Sequence, residues 1–316
     1  MLNRQPMSTA DYINEKIAGV RRSFGTYRLL RIISEGATGV VVEAEHYHLG
    51  RKVALKTFNP KSFERTGMGV RELTEQFLHE ARVLAAVDHA NVLPIYDAGF
   101  ARGGDMQVEV PYLAVQLVAN GDLQSWVSTR GPLDNDSAVI ILAGCALGLQ
   151  ALHRAGFVHR DLKPGNVLIQ EDWRPLIADL SAASPKGLPP RPGLVVGTSG
   201  YLAPEHIRHG VSNEATDLYS LGATMFYALT GKAPYQVEPQ DLVVWAESAT
   251  GAPAPQQERP AVELRLSQVI QRALQPQPQN RYATIAELIE DCTALQLGKK
   301  PGHASGSRSS LFWGKP

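Results

Sequence analysis

The densest concentration of chemistry-bearing residues lies in VHRDLKPGNVLI, Val158–Ile169. It places Asp161, Lys163 and Asn166 together at the start of an apolar strand run. An aspartate can accept a hydroxyl proton, a lysine can steady a transferring phosphoryl group, and an asparagine oxygen can ligate Mg²⁺. Further on, LIADLS ends another apolar run with Asp179. Alone, such an aspartate caps a turn. Paired with Asn166 it supplies a second hard oxygen for a divalent cation.

Two further stretches carry weaker signals. In ISEGATGVV, Ile33–Val41, Gly36 and Gly39 lie between two strand runs. Free amides in such a turn can cradle phosphate, and the same glycines equally serve a plain hairpin. In VALK, Val53–Lys56, period-2 alternation puts Ala54 and Lys56 on one face and Val53 and Leu55 on the other. A lysine there reaches a phosphate, or else guards a sheet edge against aggregation.

These residues need elements to hold them. Tyr27–Ile33, Val40–His46 and Lys52–Thr57 read as short strands. Glu72–Val87 reads as a helix, with Phe77, Ala81, Leu84 and Ala85 on one stripe. Val92–Tyr96 and Tyr112–Val118 follow as strand runs, and beyond about residue 120 the pattern turns helical: Asn135–Ala155, Glu214–Leu229, Leu264–Leu274 and Ile285–Leu295. Strands first and helices later predict an α+β chain of two lobes with a hinge near Ala119–Asp122.

Composition narrows the class without choosing a chemistry. The 316 residues carry 31 Lys+Arg and 31 Asp+Glu, a net charge of zero, which argues against a nucleic-acid or membrane-surface partner. Cys145 and Cys292 are too few for a disulfide framework or a four-ligand zinc site. No signal peptide is expected in residues 1–25, and the apolar window Ser137–Leu152 is shorter than a membrane span and reads as a buried helix. A cytoplasmic location follows as the expectation. The Ser- and Gly-containing residues 297–316 lack apolar periodicity and read as a disordered tail, with Ser305, Ser307, Ser309 and Ser310 as candidate phosphorylation sites.

HRDLKPGN, VALK and GTSGYLAPE (Gly197–Glu205) in this order resemble the eukaryotic-type (Hanks-type) Ser/Thr protein kinases, most closely the bacterial members. The resemblance runs from about Tyr27 to Leu295. It implies a two-lobed protein-kinase-like fold, with a small β-rich N-lobe bearing one main helix (27–118) and a larger helical C-lobe (119–296). Residues 1–26 would form an N-terminal extension and 297–316 a tail.

The resemblance also assigns roles. Lys56 would bind the α- and β-phosphates of ATP and pair with Glu80. Asp161 would act as the catalytic base, with Lys163 near the γ-phosphate. Asn166 and Asp179 would hold Mg²⁺, or Mn²⁺. Ser34, Gly36 and Gly39 belong to the phosphate loop; Ile33, Val41 and Ala54 would roof the adenine and Leu168 floor it. Gln116 and Val118 would offer hinge backbone behind the gatekeeper Val115, and Asp122 would meet the ribose. Thr198 would line the acceptor site, Glu205 and Arg281 would form a buried ion pair, and Asp217 would brace the catalytic loop. Protein substrates, a cognate Ser/Thr phosphatase and a regulatory partner are the partners implied.

Three departures from the family stand out. Ser34 replaces the first glycine of the phosphate loop. Asp179-Leu180-Ser181 replaces Asp-Phe-Gly, where Leu180 can serve as the apolar plug and Ser181 should limit flipping of the loop. Between Ser184 and Thr198 there is no Ser, Thr or Tyr, while Pro185, Pro189, Pro190 and Pro192 stiffen the stretch. The expectation is a loop held without phosphorylation, or through a partner. The competing readings are a pseudokinase acting as a nucleotide-binding scaffold and a small-molecule kinase of related fold. The first is favoured by Ser34 and Asp179-Leu180-Ser181, and the second is opposed by GTSGYLAPE.

Overall fold

The computed structural model describes residues 23–35, 39–58, 70–101, 109–189 and 196–304. Gly36 and residues 305–316 with their serines lie outside the described residues, as does most of the N-terminal extension. The chain divides into two compact units: residues up to Asp88 with Leu93–Val118, and His89–Val92 with Ala119 onward.

The first unit is built on a six-stranded sheet: β1 (Ser23–Phe24), β2 (Tyr27–Glu35), β3 (Gly39–His46), β4 (Lys52–Phe58), β5 (Ile95–Ala101) and β6 (Val110–Gln116). The strands lie in the order β1-β2-β3-β4-β6-β5, antiparallel throughout. β-Branched runs supply its interior: Val40, Val42, Val53 and Leu55 are all buried. Helix α1 (Val70–Ala85) is the one helix among the described residues of this unit. Its buried stripe holds Phe77, Ala81 and Leu84 as expected, with Glu80 and Val83 in place of the exposed Ala85.

Three boundaries differ from the sequence reading. Ser23–Phe24 joins the sheet, so the extension ends earlier than residue 26. The strand expected at Val92–Tyr96 begins at Ile95, because Pro94 has no amide to give a ladder. His89–Val92 belongs to the second unit: Asn91 accepts the amide of Ile177 at 2.9 Å and donates its side-chain amide to Pro175 O at 3.0 Å, and Val92 bridges Ile177.

The second unit is helical: α2 (Leu123–Arg130), α3 (Asn135–Arg154), α4 (Pro204–His209), α5 (Glu214–Thr230), α6 (Leu242–Ser248), α7 (Pro255–Glu258), α8 (Leu264–Ala273) and α9 (Ile285–Gln296). Among them lie short antiparallel pairs, β7 (Phe157–Val158) with β10 (Ser184–Pro185) and β8 (Val167–Ile169) with β9 (Pro175–Ile177).

Helix α3 is long and apolar enough to cross a membrane by length and composition, yet most of it is buried inside this unit. Two of its glycines explain the packing. A Cβ on Gly144 would lie 2.5 Å from Pro175 Cγ, and one on Gly148 would lie 2.6 Å from Asn91 O. Any side chain there would push the helix off β9. Its Cys145 is free and fully buried, and burial pushes that thiol up to about 12, so it is unreactive.

The expected tail is structured in its first part. Asp291 of α9 accepts the backbone amides of His303 (2.9 Å) and Ala304 (2.7 Å) together with the Tyr282 hydroxyl (3.0 Å). A buried carboxylate with three donors holds residues 297–304 against α9, a contact that composition cannot reveal.

Candidate active site

In the first unit, β4 carries Lys56 and α1 carries Glu80. The lysine Nζ lies 2.9 and 2.8 Å from the two carboxylate oxygens. Glu80 is 5% exposed and Lys56 21%, so the pair is shielded on one side and open on the other. Burial of the acid strengthens its hold on the cation, which fixes the position of the ammonium. Register places Lys56 opposite Val41 on β3 and Leu113 on β6. Along the same sheet, Ile33 and Ser34 lie exposed near the end of β2, Gly39 opens β3, Ala54 and Val115 are buried, and Gln116 closes β6. The Gln116 amide donates to Pro94 O at 3.1 Å, and Val118 follows at the end of this unit.

In the second unit, the loop after β7 is shaped by Asp217, which is wholly buried in the first turn of α5. Its carboxylate accepts the amides of His159 (2.8 Å) and Arg160 (3.0 Å) and meets His153 Nε2 at 2.7 Å. Burial by itself would raise the Asp217 carboxyl. The His153 hydrogen bond and charge, with the nearby His159, outweigh it and hold the group below the ordinary aspartate value. These bonds stabilise Arg160 in the left-handed region at φ 71°, which turns the chain so that Asp161 follows. His153 was not singled out by the sequence, because one histidine at a helix end carries no spacing signal.

Asp161 sits in a closed triangle. Its Oδ2 accepts from Lys163 Nζ at 2.8 Å, its Oδ1 accepts from Thr198 Oγ1 at 2.9 Å, and Lys163 Nζ also donates to Thr198 at 2.7 Å. Thr198 can reach this position because Gly197 precedes it at φ 122°; a Cβ there would lie 2.5 Å from Leu202 Cδ2 and 2.9 Å from Arg160 O. Asn166 ends a single 3₁₀ turn (Pro164–Asn166) and gives its amide hydrogens to Asp161 O at 2.8 Å and Oδ2 at 3.4 Å.

The β8–β9 hairpin explains how Asn166 and Asp179 meet. Val167 pairs with Ile177, and Ala178 N donates to Asn166 O at 2.9 Å. Antiparallel pairing thus sets Asn166 beside Ala178, one residue before Asp179. Because the Asn166 NH₂ is committed to Asp161, its carbonyl oxygen remains the ligand atom it can offer. Asp179, at φ 56°, adds a carboxylate whose Oδ1 accepts the Ser181 hydroxyl at 2.8 Å. Amide oxygen plus carboxylate is a hard donor set that fits a divalent cation of the Mg²⁺ type.

Leu180 is fully buried as the apolar plug. Ser181 lies in a 3₁₀ turn with Leu180 and Ala182 and is not among the positive-φ residues, so this position does not need glycine. Its bond to Asp179 was not read from the sequence, which pointed only to lost flexibility. Leu168 pairs with Leu176 and is bridged by Asp122. Asp122 itself caps α2, accepting from both the amide and the hydroxyl of Ser125 at 2.8 Å. Glu205 and Arg281 form a bidentate pair at 2.6 and 2.7 Å, with the arginine side chain entirely buried.

A six-stranded lobe with one helix, and a helical lobe whose loop joins Asp161, Lys163 and Asn166, define a two-lobed protein-kinase fold. The protein kinase domain family model matches residues 27–293, and the chain belongs to that family. It is 34% identical over 280 residues to the serine/threonine-protein kinase Pkn1 of Myxococcus xanthus, covering 86% of this chain and 38% of that protein. It is 31% identical over 283 residues to serine/threonine-protein kinase PknA of Mycobacterium tuberculosis, covering 89% and 64%. A third relative, PknH of Mycobacterium bovis, is 31% identical over 267 residues, covering 84% and 43%. The chain therefore spans about two fifths to two thirds of the length of these relatives.

Proposed function

We propose that the protein transfers the γ-phosphate of ATP to serine and threonine hydroxyls of other proteins. The observation that carries this reading is the Asp161–Lys163–Thr198 triangle, with Asn166 bonded to Asp161. Phosphoryl transfer is mostly positioning and charge neutralisation, and these groups supply both.

Asp161 orients the acceptor hydroxyl and takes its proton at a carboxylate oxygen. Lys163 holds that carboxylate and neutralises charge on the phosphoryl group as it moves. Thr198 keeps the carboxylate aimed before the acceptor arrives. Lys56, fixed by Glu80, holds the α- and β-phosphates. The resemblance assigns nucleotide contacts to Ile33, Ser34, Gly36, Gly39, Val41 and Ala54, with Gln116 and Val118 offering backbone to the base, and gives Leu168 the same kind of role. Asn166 and Asp179 would hold Mg²⁺ or Mn²⁺, which when bound neutralises the phosphates. Asp122, engaged by Ser125, meets the ribose only through whatever lone pairs that capping leaves.

GTSGYLAPE supports a protein acceptor rather than a small molecule, and Lys56, Glu80, Asp161, Asn166 and Asp179 together support an active enzyme. Reliance on ATP favours a cytoplasmic reaction, and a phosphatase would reverse it. The test is metal-dependent transfer from radiolabelled ATP to a generic basic protein, run beside Asp161→Asn. Transfer by wild type and its near-abolition in the variant is the expected result. Nucleotide binding without transfer would overturn the reading, as would transfer confined to small molecules.

A further inference from the structure

We infer that Lys186 is a positioning residue that anchors the activation segment without phosphorylation; the inference rests on the function proposed above. In this family the arginine before the catalytic aspartate, here Arg160, meets a phosphate added to the segment after the metal-binding aspartate. Arg160 instead borders a cavity of about 30 Å³ shared with Ser184, Leu188, Pro189, Gly210 and Ser212. The sequence from Pro185 to Gly197 holds no hydroxyl that could accept a phosphate.

The anchoring is done by other groups. Ser184 and Pro185 pair with Val158 and Phe157, which fastens the segment to the strand leading into His159, Arg160 and Asp161. The next residue extends the grip: Lys186 N donates to Gly156 O at 2.8 Å, and Lys186 Nζ donates to His153 O at 3.3 Å and to the carboxylate of Glu214. One cation thus joins the C-terminal end of α3 to the N-terminal turn of α5. A positive charge is favoured at the first end and a negative one at the second. His153 and Asp217, which meet at 2.7 Å, belong to the same two helices, so the Lys186 bridge spans the pair that braces the catalytic loop.

The far end is held as well. His206 Nε2 lies 3.0 Å from Val196 O and 3.3 Å from Val196 N, while its Nδ1 lies 2.9 Å from Val211 O. The buried His206 ring therefore fixes the backbone two residues before Thr198. By sequence, Pro189, Pro190 and Pro192 restrict the conformations open to the unfolded chain here.

The experiment uses the full chain, treated with a protein phosphatase and shown by mass to carry no phosphate. Phosphate-free wild type is expected to keep its kcat. Lys186→Ala should lower kcat about three- to tenfold, the range for losing an exposed ion pair and one carbonyl bond. Binding of a fluorescent ATP analogue should stay unchanged, and Lys186→Arg should restore kcat. Amide exchange over residues 184–189 should quicken in Lys186→Ala whether or not transfer is observed. A phosphate-free wild type that is inactive but regains transfer on rephosphorylation would overturn the inference, as would wild-type kcat or unchanged exchange in Lys186→Ala. If Asp161→Asn transfers phosphate as well as wild type, the proposed function fails, and the exchange result still decides the role of Lys186.

Discussion

The carboxylate of Asp217 accepts the backbone amide of Arg160 at 3.0 Å, across 57 residues of chain, and so stabilises that residue at a positive φ. The aspartate thereby sets the direction in which Asp161 leaves the loop without touching a substrate. Its role is geometric, and it is enforced by burial and by three donors.

The depressed Asp217 carboxyl makes an acid limb of stability. A group whose folded value lies below its unfolded one stabilises the fold above the unfolded value, near pH 4 for aspartate, and that contribution is lost as pH falls through the folded value. Asp217→Asn should flatten chemical-denaturation stability as pH falls below about 4, relative to wild type. It should also cost about 2–4 kcal/mol at pH 7, since a neutral amide cannot serve the same donors. An acid limb of unchanged slope in the variant would show that other carboxylates carry it.

Arg281 and Glu205 test the energetics of a buried pair. The guanidinium also donates to Gln275 O, Ala215 O and Pro276 O and lies 4.9 Å from the Tyr219 ring. Arg281→Met should cost about 3–5 kcal/mol because it strands a buried carboxylate. Arg281→Met with Glu205→Leu should recover part of that loss, read from urea midpoints at pH 7. A double variant no more stable than the single one would mean that the lost carbonyl contacts of Arg281, and not the stranded charge, dominate.

How much of this was legible in the sequence depends on how local each feature is. HRDLKPGN places Asp161, Lys163 and Asn166 within one loop, so their meeting needs no tertiary information. The hairpin that joins Asn166 to Asp179 is nearly as local, because two short apolar runs flank a turn. Asp217 and Glu205 were placed through resemblance, since bonds across more than fifty residues leave no periodic trace. Lys186 was invisible because its partners are carbonyls and a carboxylate that only folding collects. Over residues 297–304 the tail reading differs from the structure because composition reports low apolarity and not the three bonds at Asp291. Asp122 shows the reverse case: Asp-x-x-Ser is a plain cap signal, and the cap is what the structure displays.

Gly197 supplies a steric test of the triangle. Alanine there must adopt φ 122°, which disfavours any side chain, with its methyl 2.5 Å from Leu202 and 2.9 Å from Arg160 O. Gly197→Ala should therefore displace Thr198 and reduce transfer about 10²-fold, the usual loss for one misaligned preorganised contact. Nucleotide affinity measured by fluorescence titration should change little, because Lys56 and Glu80 lie in the other unit. Wild-type turnover in this variant would argue that Thr198 need not hold Asp161.

Ser181 supplies the last. Its hydroxyl occupies Oδ1 of Asp179 at 2.8 Å, restricting rotation of the carboxylate that would face the cation. Glycine at this position removes the bond and frees the backbone of the 3₁₀ turn, so both changes loosen the ligand. Both residues are partly exposed, so the loss is smaller than for a buried charged hydrogen bond. Ser181→Gly should raise the Mn²⁺ concentration for half-saturation about three- to tenfold, followed by electron paramagnetic resonance with a non-hydrolysable ATP analogue present. Asp179→Asn should weaken Mn²⁺ binding further, and Ser181→Thr, which keeps the hydroxyl, should stay near wild type. If Ser181→Gly binds Mn²⁺ as tightly as wild type, the serine is a passive replacement for glycine and Asp179 is oriented by its backbone alone.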